Sequence, residues 1–482
     1  MTTSTNTAAT TRFGARQRKG MLLGFTGPRL ACIGVAVLVE TISLFLAGLT
    51  GAVLTAPFVV AVLASAFVQV GGRSAIEWAP VAGHWTVRRA RRQDIYGVRP
   101  TRPRPAGTLA LPGDAAALRV HTDTETGAAM VHDPHRHTLT VTCLVTHPAF
   151  VLLGDEDQQR RVNGWGRALA LLARSGHTAA VQVLEATIPD SGTAVRDWWT
   201  AQGVHEDSWP TRTYAEFVAT AAPTSARHRT TVSISLDMHK AHRAITQAGR
   251  GLAGAAAVLR QDMGVVDAAL RSAELQPLGW LAPADLGQLI RTAYDPFGAM
   301  ATDGTGLGSD LATAGPVGIQ EHWSWFRSDR GATAVLWVSE WPRSSAYPNF
   351  LHPLLLKSSA RKSFTLLAHP VPPAEARRDI RRQKVEYLTD ADQKARIGQV
   401  ADVSDAQEYQ DILQREQEIT VGHADMRFAG LVAVTTADKA SLDAAVAEIE
   451  QDAIQGECEL RLLVGQQTQA FTAAALPLAR GL

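Results

Sequence analysis

The chain has 482 residues, 46% of them hydrophobic, and a formal net charge of +1. That length supports about two to four domains, and the near-neutral balance excludes a uniformly basic or acidic polyelectrolyte. Cys32, Cys143 and Cys458 are too few and too scattered for a disulfide framework or a zinc site.

The charge is unevenly divided. Residues 1–104 carry 13 Lys/Arg and 3 Asp/Glu, a net of +10, and the remainder is net −9. The basic part reads as a collar that attracts anionic membrane lipid. It lacks the interleaved aromatics and motifs of a nucleic-acid reader, and the acidic remainder is no better suited. Direct nucleic-acid binding is therefore not expected.

Residues 1–29 form a basic tail with Arg12, Arg16, Arg18, Lys19 and Arg29. Residues 30–70 then hold a single charge, Glu40. A helix needs about 20 apolar residues to cross a bilayer, so segment 30–72 is long enough for a two-helix transmembrane hairpin. The expected bend is Gly48-Leu49-Thr50-Gly51. Arg73, Arg88, Arg89, Arg91 and Arg92 follow it, and the turn carries no charge. Basic flanks stay on the cytoplasmic side, so both termini are expected in the cytoplasm, with Trp78 and Trp85 as headgroup-level anchors. A signal peptide is the competing reading, and the length of the run and the basic cluster beyond it argue against it. Glu40, mid-span, is read as a carboxylate bonding within the hairpin or an oligomer rather than as half of a proton relay.

Residues 73–107 read as a basic juxtamembrane linker, with Pro100, Pro103 and Pro105 preventing a continuous helix. The body then patterns as strand and helix in alternation. Module 108–300 opens with strands at 108–111, 118–120 and 137–147, a helix at 155–174 and a strand at 178–188. Pro189-Asp190-Ser191-Gly192 turns the chain. A helix at 209–219, a strand at 229–237, a helix at 242–263, a strand at 275–281 and a helix at 283–294 follow. The Gly-rich stretch 297–331 reads as loop. Module 301–482 continues with strands at 332–339 and 363–370 and two charged helices at 374–396 and 404–420. Ser404 and Gln407 fit a capping box. Strand 427–435, helix 439–455 and strand 460–464 close the series. The expected fold class is α+β: a transmembrane hairpin, ferredoxin-like βαβ modules with helices on one sheet face, and a charged helical hairpin.

Chemical signatures are sparse. There is no GxxxxGK[ST], so the chain lacks a phosphate loop with its balancing lysine. Gly249, Gly251 and Gly254 spell GxGxxG, but inside a helical pattern. A dinucleotide fold needs that string at a strand-to-helix turn, so close helix packing is the better reading. Gly304–Gly308 has Ser309 where a third glycine belongs. His132, His135 and His137 form the one dense histidine cluster, interrupted by Arg136, and read as a loop entering a strand rather than a metal site. Ser358, Ser359 and Ser363 beside Lys357 and Lys362 read as a basic turn. Trp198, Trp199, Trp323 and Trp325 are candidates for an interface, and Trp337 for the core. No catalytic, cofactor or metal residues are expected.

The order of features resembles known parts of a secretion machine. The two-span basic hairpin resembles the small PrgI-type inner-membrane subunits of type IV secretion and conjugation systems. The body resembles the N-terminal, pre-ATPase part of the large conjugative-transfer ATPase. The segments carrying this are Arg427-Phe428-Ala429-Gly430-Leu431-Val432, the helix after Asp438, the strand Leu460-Arg461-Leu462-Leu463, and Gln469-Ala470-Phe471 leading to Leu476-Pro477-Leu478. The whole also looks like an actinobacterial membrane protein family, with Ser339-Glu340-Trp341-Pro342 and Pro477-Leu478-Ala479-Arg480-Gly481-Leu482 as its pattern. The resemblance implies a non-catalytic, membrane-anchored scaffold that docks a separate conjugative-type ATPase, with other secretion-machine subunits and an oligomeric state. Residues 427–482 would form part of the docking surface. An EccE-like type VII secretion component and a membrane-bound glycosyltransferase-like enzyme are the alternatives.

Overall fold

A long apolar run with Glu40 as its one charge, then alternating β-branched and apolar residues, should give lipid-compatible helix and a sheet with covered faces. A computed structural model describes the chain except for residues 1–26, 71–72, 100, 102–103, 147–149, 190–192, 204–205, 222–225, 302–309, 343–345, 348, 357–359, 397–402, 422–424 and 482. The basic residues 12–19, the turn at 190–192, Gly304–Gly308 and Ser358–Ser359 lie outside the described residues. Residues 15–94 and 95–482 form two compact units.

In the smaller unit, α1 (Gly27–Phe67) spans 41 residues and has one non-helical residue inside, Gly48, at φ 61° and ψ −152°. A left-handed φ there is why glycine occupies the position. The helix ends before residue 72. The short strands β1 (Gln69–Val70) and β2 (Arg73–Ser74) pair antiparallel, and α2 (Ala75–Ala90) follows. The stretch 73–107 is thus not plain linker: Pro100, Pro103 and Pro105 fall after α2, and Pro80 in its first turns is accommodated within the helix. Trp85 is buried inside this unit rather than displayed as an anchor.

The larger unit is built on one 13-stranded sheet in which every pairing is antiparallel. In chain order it runs β3 (Ile95–Gly97), β4 (Arg119–Thr122), β5 (Ala129–Asp133), β6 (Thr138–Thr146), α3 (Asp155–Ser175) and β7 (Thr178–Pro189). The pair α4 (Thr193–Gln202) and α5 (Trp209–Ala221) precedes β8 (Ala226–Asp237), α6 (His242–Gln247), α7 (Gly251–Ser272) and β9 (Gln276–Trp280). Next come α8 (Pro283–Tyr294), α9 (Pro296–Ala301), β10 (Gly318–Glu321), β11 (Phe326–Ser328), β12 (Gly331–Glu340), α10 (His352–Leu356) and β13 (Arg361–Pro370). A second pair, α11 (Pro373–Arg396) and α12 (Val403–Val421), precedes β14 (Met426–Thr436), α13 (Lys439–Gln455), β15 (Glu459–Leu462) and α14 (Gln467–Ala475).

The spatial order is β3-β10-β11-β12-β14-β13-β7-β8-β6-β5-β4, with β15 beside β12 and β9 beside β6. Two four-strand sets stand out, β9-β6-β8-β7 and β15-β12-β14-β13. Each comes from one strand–strand–strand–strand stretch of chain, and each carries a helix pair between its second and third strands. They meet at β7 and β13, where Leu184 faces Thr365. The boundary expected near residue 300 is crossed by this continuous sheet.

Side-chain alternation explains the layers. Leu139, Val141, Cys143 and Val145 of β6 point to α6 and α7, while Leu336, Val338, Val432 and Val434 point to α13. The opposite face meets α8 and α14, with Val335, Leu431, Tyr294 and Phe471 among its buried residues. Three local expectations are corrected. Residues 108–111 make a single bridge, Thr108 to Arg119, instead of a strand. The Gly-rich 297–331 stretch contains β10 and β11, too short for period-two patterning to register. Helix 242–263 is two helices, because Gly249, Arg250 and Gly251 all have positive φ.

Candidate functional site

In α1 the apolar side chains face outward: Phe45, Leu46, Leu49 and Leu54 are all exposed. Its most apolar stretch has a mean hydropathy of 2.3 and is 11% buried, so by length and composition it is the described helix able to cross a membrane. A polar group in lipid must find a partner in the protein. Thr41, Thr50 and Ser65 donate to carbonyls one turn back, at Val37, Ala47 and Val62. The Thr55 hydroxyl donates to the Glu40 carboxylate at 3.2 Å.

In the body the most connected polar site is a groove of hydroxyls and amides that grips residues 467–480. A helix leaves its last carbonyls without intrahelical partners, and a buried carbonyl needs one. Sheet side chains supply them. Ser363 and Thr365 Oγ donate to Ala474 O, Gln182 Nε2 donates to Ala473 O and Leu476 O, and Thr142 and Ser233 donate to Pro477 O. Gln182 Oε1 accepts from the Ala479 N–H at 2.6 Å. At the other end Gln467 Oε1 accepts from Val335 N at 2.8 Å. The alternating Thr and Ser residues of β6, β8 and β13 are the sequence signal for this groove, although a solvent-facing strand presents the same pattern. Residues 467–480 are therefore interior. Within 427–482, α13 keeps an exposed face, including Asp443 and Ile454, and Phe428 is partly exposed.

Arg480 closes the groove. It pairs with Asp133 at 2.8 Å and with Asp114 at 2.9 Å. Burial works against the Asp133 carboxylate, but Arg480 and the N–H groups of Arg136 and His135 outweigh it and hold its pKa below the usual value. A cavity of about 100 Å³ opens beside this pair, lined also by Arg136, Thr138 and His369. Burial, with Arg136 and Lys240 nearby, pushes the His369 pKa down. Asp133 is committed to Arg480 and to the turn at 135–136, so it is poorly placed to act as a base.

The histidine cluster does not converge. His132 lies on β5, and His135 and His137 lie in the turn after it; His132 is 6.2 Å from His121, and His137 is 4.2 Å from His239, ring to ring. Among the described residues no group of three or more His, Cys, Asp or Glu could hold a metal. Gly249 lies in the turn between α6 and α7, and Gly251 and Gly254 lie in the first turn of α7, following a helix and not a strand. A Cβ on Gly254 would come within 2.3 Å of Ile245 O, so the residue is small for packing.

The tryptophans divide by environment. Trp337 packs against the central core. Trp325 stacks on His322 at 4.3 Å with the Lys439 ammonium 5.8 Å from its ring, while Trp323 is partly exposed. On α4 and α5, Trp198, Trp209, Tyr214 and Phe217 are exposed together, with Tyr214 4.7 Å from Trp199. No family model matches the chain, and no curated protein matches it.

Proposed function

We propose that this chain is a membrane-anchored, non-catalytic scaffold of a type IV secretion-like machine, whose body docks a separate cytoplasmic ATPase. The observation that carries the reading is the contact between Glu40 and Thr55 inside α1. Fifteen residues of straight helix span about 22 Å, so this hydrogen bond requires the chain to double back at Gly48. The run is then two spans with a charge-free turn outside and both termini in the cytoplasm. Glu40 is satisfied within the hairpin, as a structural carboxylate.

The body supports a docking role in two ways. Its strand orders, β9-β6-β8-β7 and β15-β12-β14-β13, fit two ferredoxin-like modules joined edge to edge, a rigid platform. Its aromatic face on α4 and α5 has the composition of an interface core. The exposed side of α13 is the part of 427–482 left open to a motor protein.

Topology and partner are tested separately. An exterior-active reporter fused after residue 482 stays silent, and one inserted at residue 50 is active; the reverse pattern removes the anchor model. Copurification in mild detergent followed by mass spectrometry recovers a conjugative-type ATPase. Asp443→Lys with Ile454→Lys lowers that recovery without unfolding the body. Recovery of a tandem three-motor ATPase instead supports the EccE-like reading.

A further inference from the structure

A second, smaller cavity lies on the seam between the two halves of the sheet. It is lined by Leu184 of β7, Arg229 and Thr231 of β8, Arg361 of β13, Thr292 of α8 and Pro477. Its volume is about 20 Å³, room for one water or one small ion. Arg361 is 5% exposed and Thr231 is 2% exposed. Among the described residues the Arg361 guanidinium has one partner, the Ala293 carbonyl at the end of α8. Its Nε and the Thr231 hydroxyl are both buried without a hydrogen-bond partner.

That is an unusual arrangement. A buried charge is ordinarily paired, and an unpaired one costs several kcal/mol. The α8 C-terminus carries roughly half a negative charge, which offsets part of the guanidinium. Burial and the neighbouring Arg229 push the Arg361 pKa down to about 10, so the side chain is still a cation at neutral pH. What lacks a partner is one N–H and one hydroxyl, on two residues that line the same space, beside a second guanidinium.

We propose that this cavity is a binding site for a small monovalent inorganic anion, chloride in the cell, held by Arg361 Nε and the Thr231 hydroxyl. Arg361 belongs to the second half of the sheet and Thr231 to the first, so the anion pins the β7–β13 seam. The inference is independent of the membrane and docking reading, because it concerns the stability of the body alone.

The full chain in detergent is unfolded thermally in sodium chloride and in sodium isethionate, whose anion is too large for the cavity, at matched ionic strength. The midpoint is expected to rise with chloride and to saturate, and to stay flat in isethionate. Arg361→Gln abolishes the chloride response. Thr231→Val, nearly isosteric, keeps the fold and moves half-saturation to about three- to tenfold more chloride, the cost of one neutral hydrogen bond. Crystals grown in bromide show an anomalous peak between the two side chains. Equal midpoints in the two salts, or an unchanged chloride response in Thr231→Val, overturns the proposal and assigns the space to a water.

Discussion

The two halves of the sheet share a strand order and a place for a helix pair, yet the pairs have opposite surfaces. In the second half α11 and α12 satisfy each other. Arg415 bonds Asp425 and Asp379, Lys384 bonds Glu416, and Tyr387 stacks on Tyr409 at 4.7 Å. In the first half α4 and α5 leave Trp209 73% and Phe217 63% exposed. The α11 and α12 pair exposes the aliphatic Val385 and Leu388 of α11 but no exposed aromatic cluster comparable to that of α4 and α5 among the described residues. A pair that shows aromatics to solvent gains from being covered. The same scaffold position thus carries mutual ion pairs on one half and exposed aromatics on the other.

The comparison breaks first if the halves do not fold together. Phe471 contacts Tyr294 and Phe326 at ring distances of 4.9 and 5.1 Å, in the core behind both halves. Phe471→Ala is expected to cost about 3–5 kcal/mol and to lower the unfolding midpoint of both halves in one transition. Hydrogen exchange that loosens the second half alone would show them to be independent.

The ion-paired helix pair is sharpened by Arg415→Met. Burial opposes the Arg415 charge, but Asp425 and Asp379 outweigh it and raise its pKa. Removing the guanidinium leaves two carboxylates facing each other, at a cost of about 1–3 kcal/mol. The loss should appear as exchange confined to α11 and α12, and Asp425→Asn in the same chain should recover part of it.

A smaller effect separates the halves by pH. His177, at the start of β7, hydrogen-bonds Asp262 of α7 at 3.1 Å, and this bond raises its pKa against the opposing effect of burial. A raised folded-state pKa means the stabilisation is complete below the unfolded value near 6.5 and is lost as pH rises through the folded one. The stability difference between the parent chain and His177→Gln should therefore shrink between about pH 6 and 8. A difference independent of pH would mean the histidine is neutral throughout. Smallest of all, Trp209→Ser with Phe217→Ser should change stability by no more than about 0.5 kcal/mol each. On the docking proposal the same pair should abolish capture of the ATPase proposed above, whereas Val385→Ser with Leu388→Ser on α11 should not.

Long regular elements were legible in the residues. Helices at 155–174, 283–294 and 439–455 and strands at 178–188 and 229–237 lie within a few positions of the structure, because each buries one periodic face. What escaped was set by distant partners. Nothing local to Gln467–Ala475 says that Ser363 and Thr365, over 100 positions earlier, will receive its carbonyls. Arg361 did not stand out beside Lys357 and Lys362, since burial of a cation has no local signature. β10 and β11 were hidden because three or four residues cannot display a period. The break between α6 and α7 was written in Gly249 and Gly251, but the flanking alanines and leucines masked it.

The grip on residues 467–480 also orders events in time. Thr142 and Pro477 are 335 positions apart and Gln182 and Ala479 are 297 apart, so these bonds form only after every strand has been synthesised. Contacts of such separation are slow to close, and a nascent body lacking them exposes a sheet face full of unpaired hydroxyls. The apolar α1 emerges long before that. During synthesis the body therefore stays unfinished until residues 467–480 have emerged.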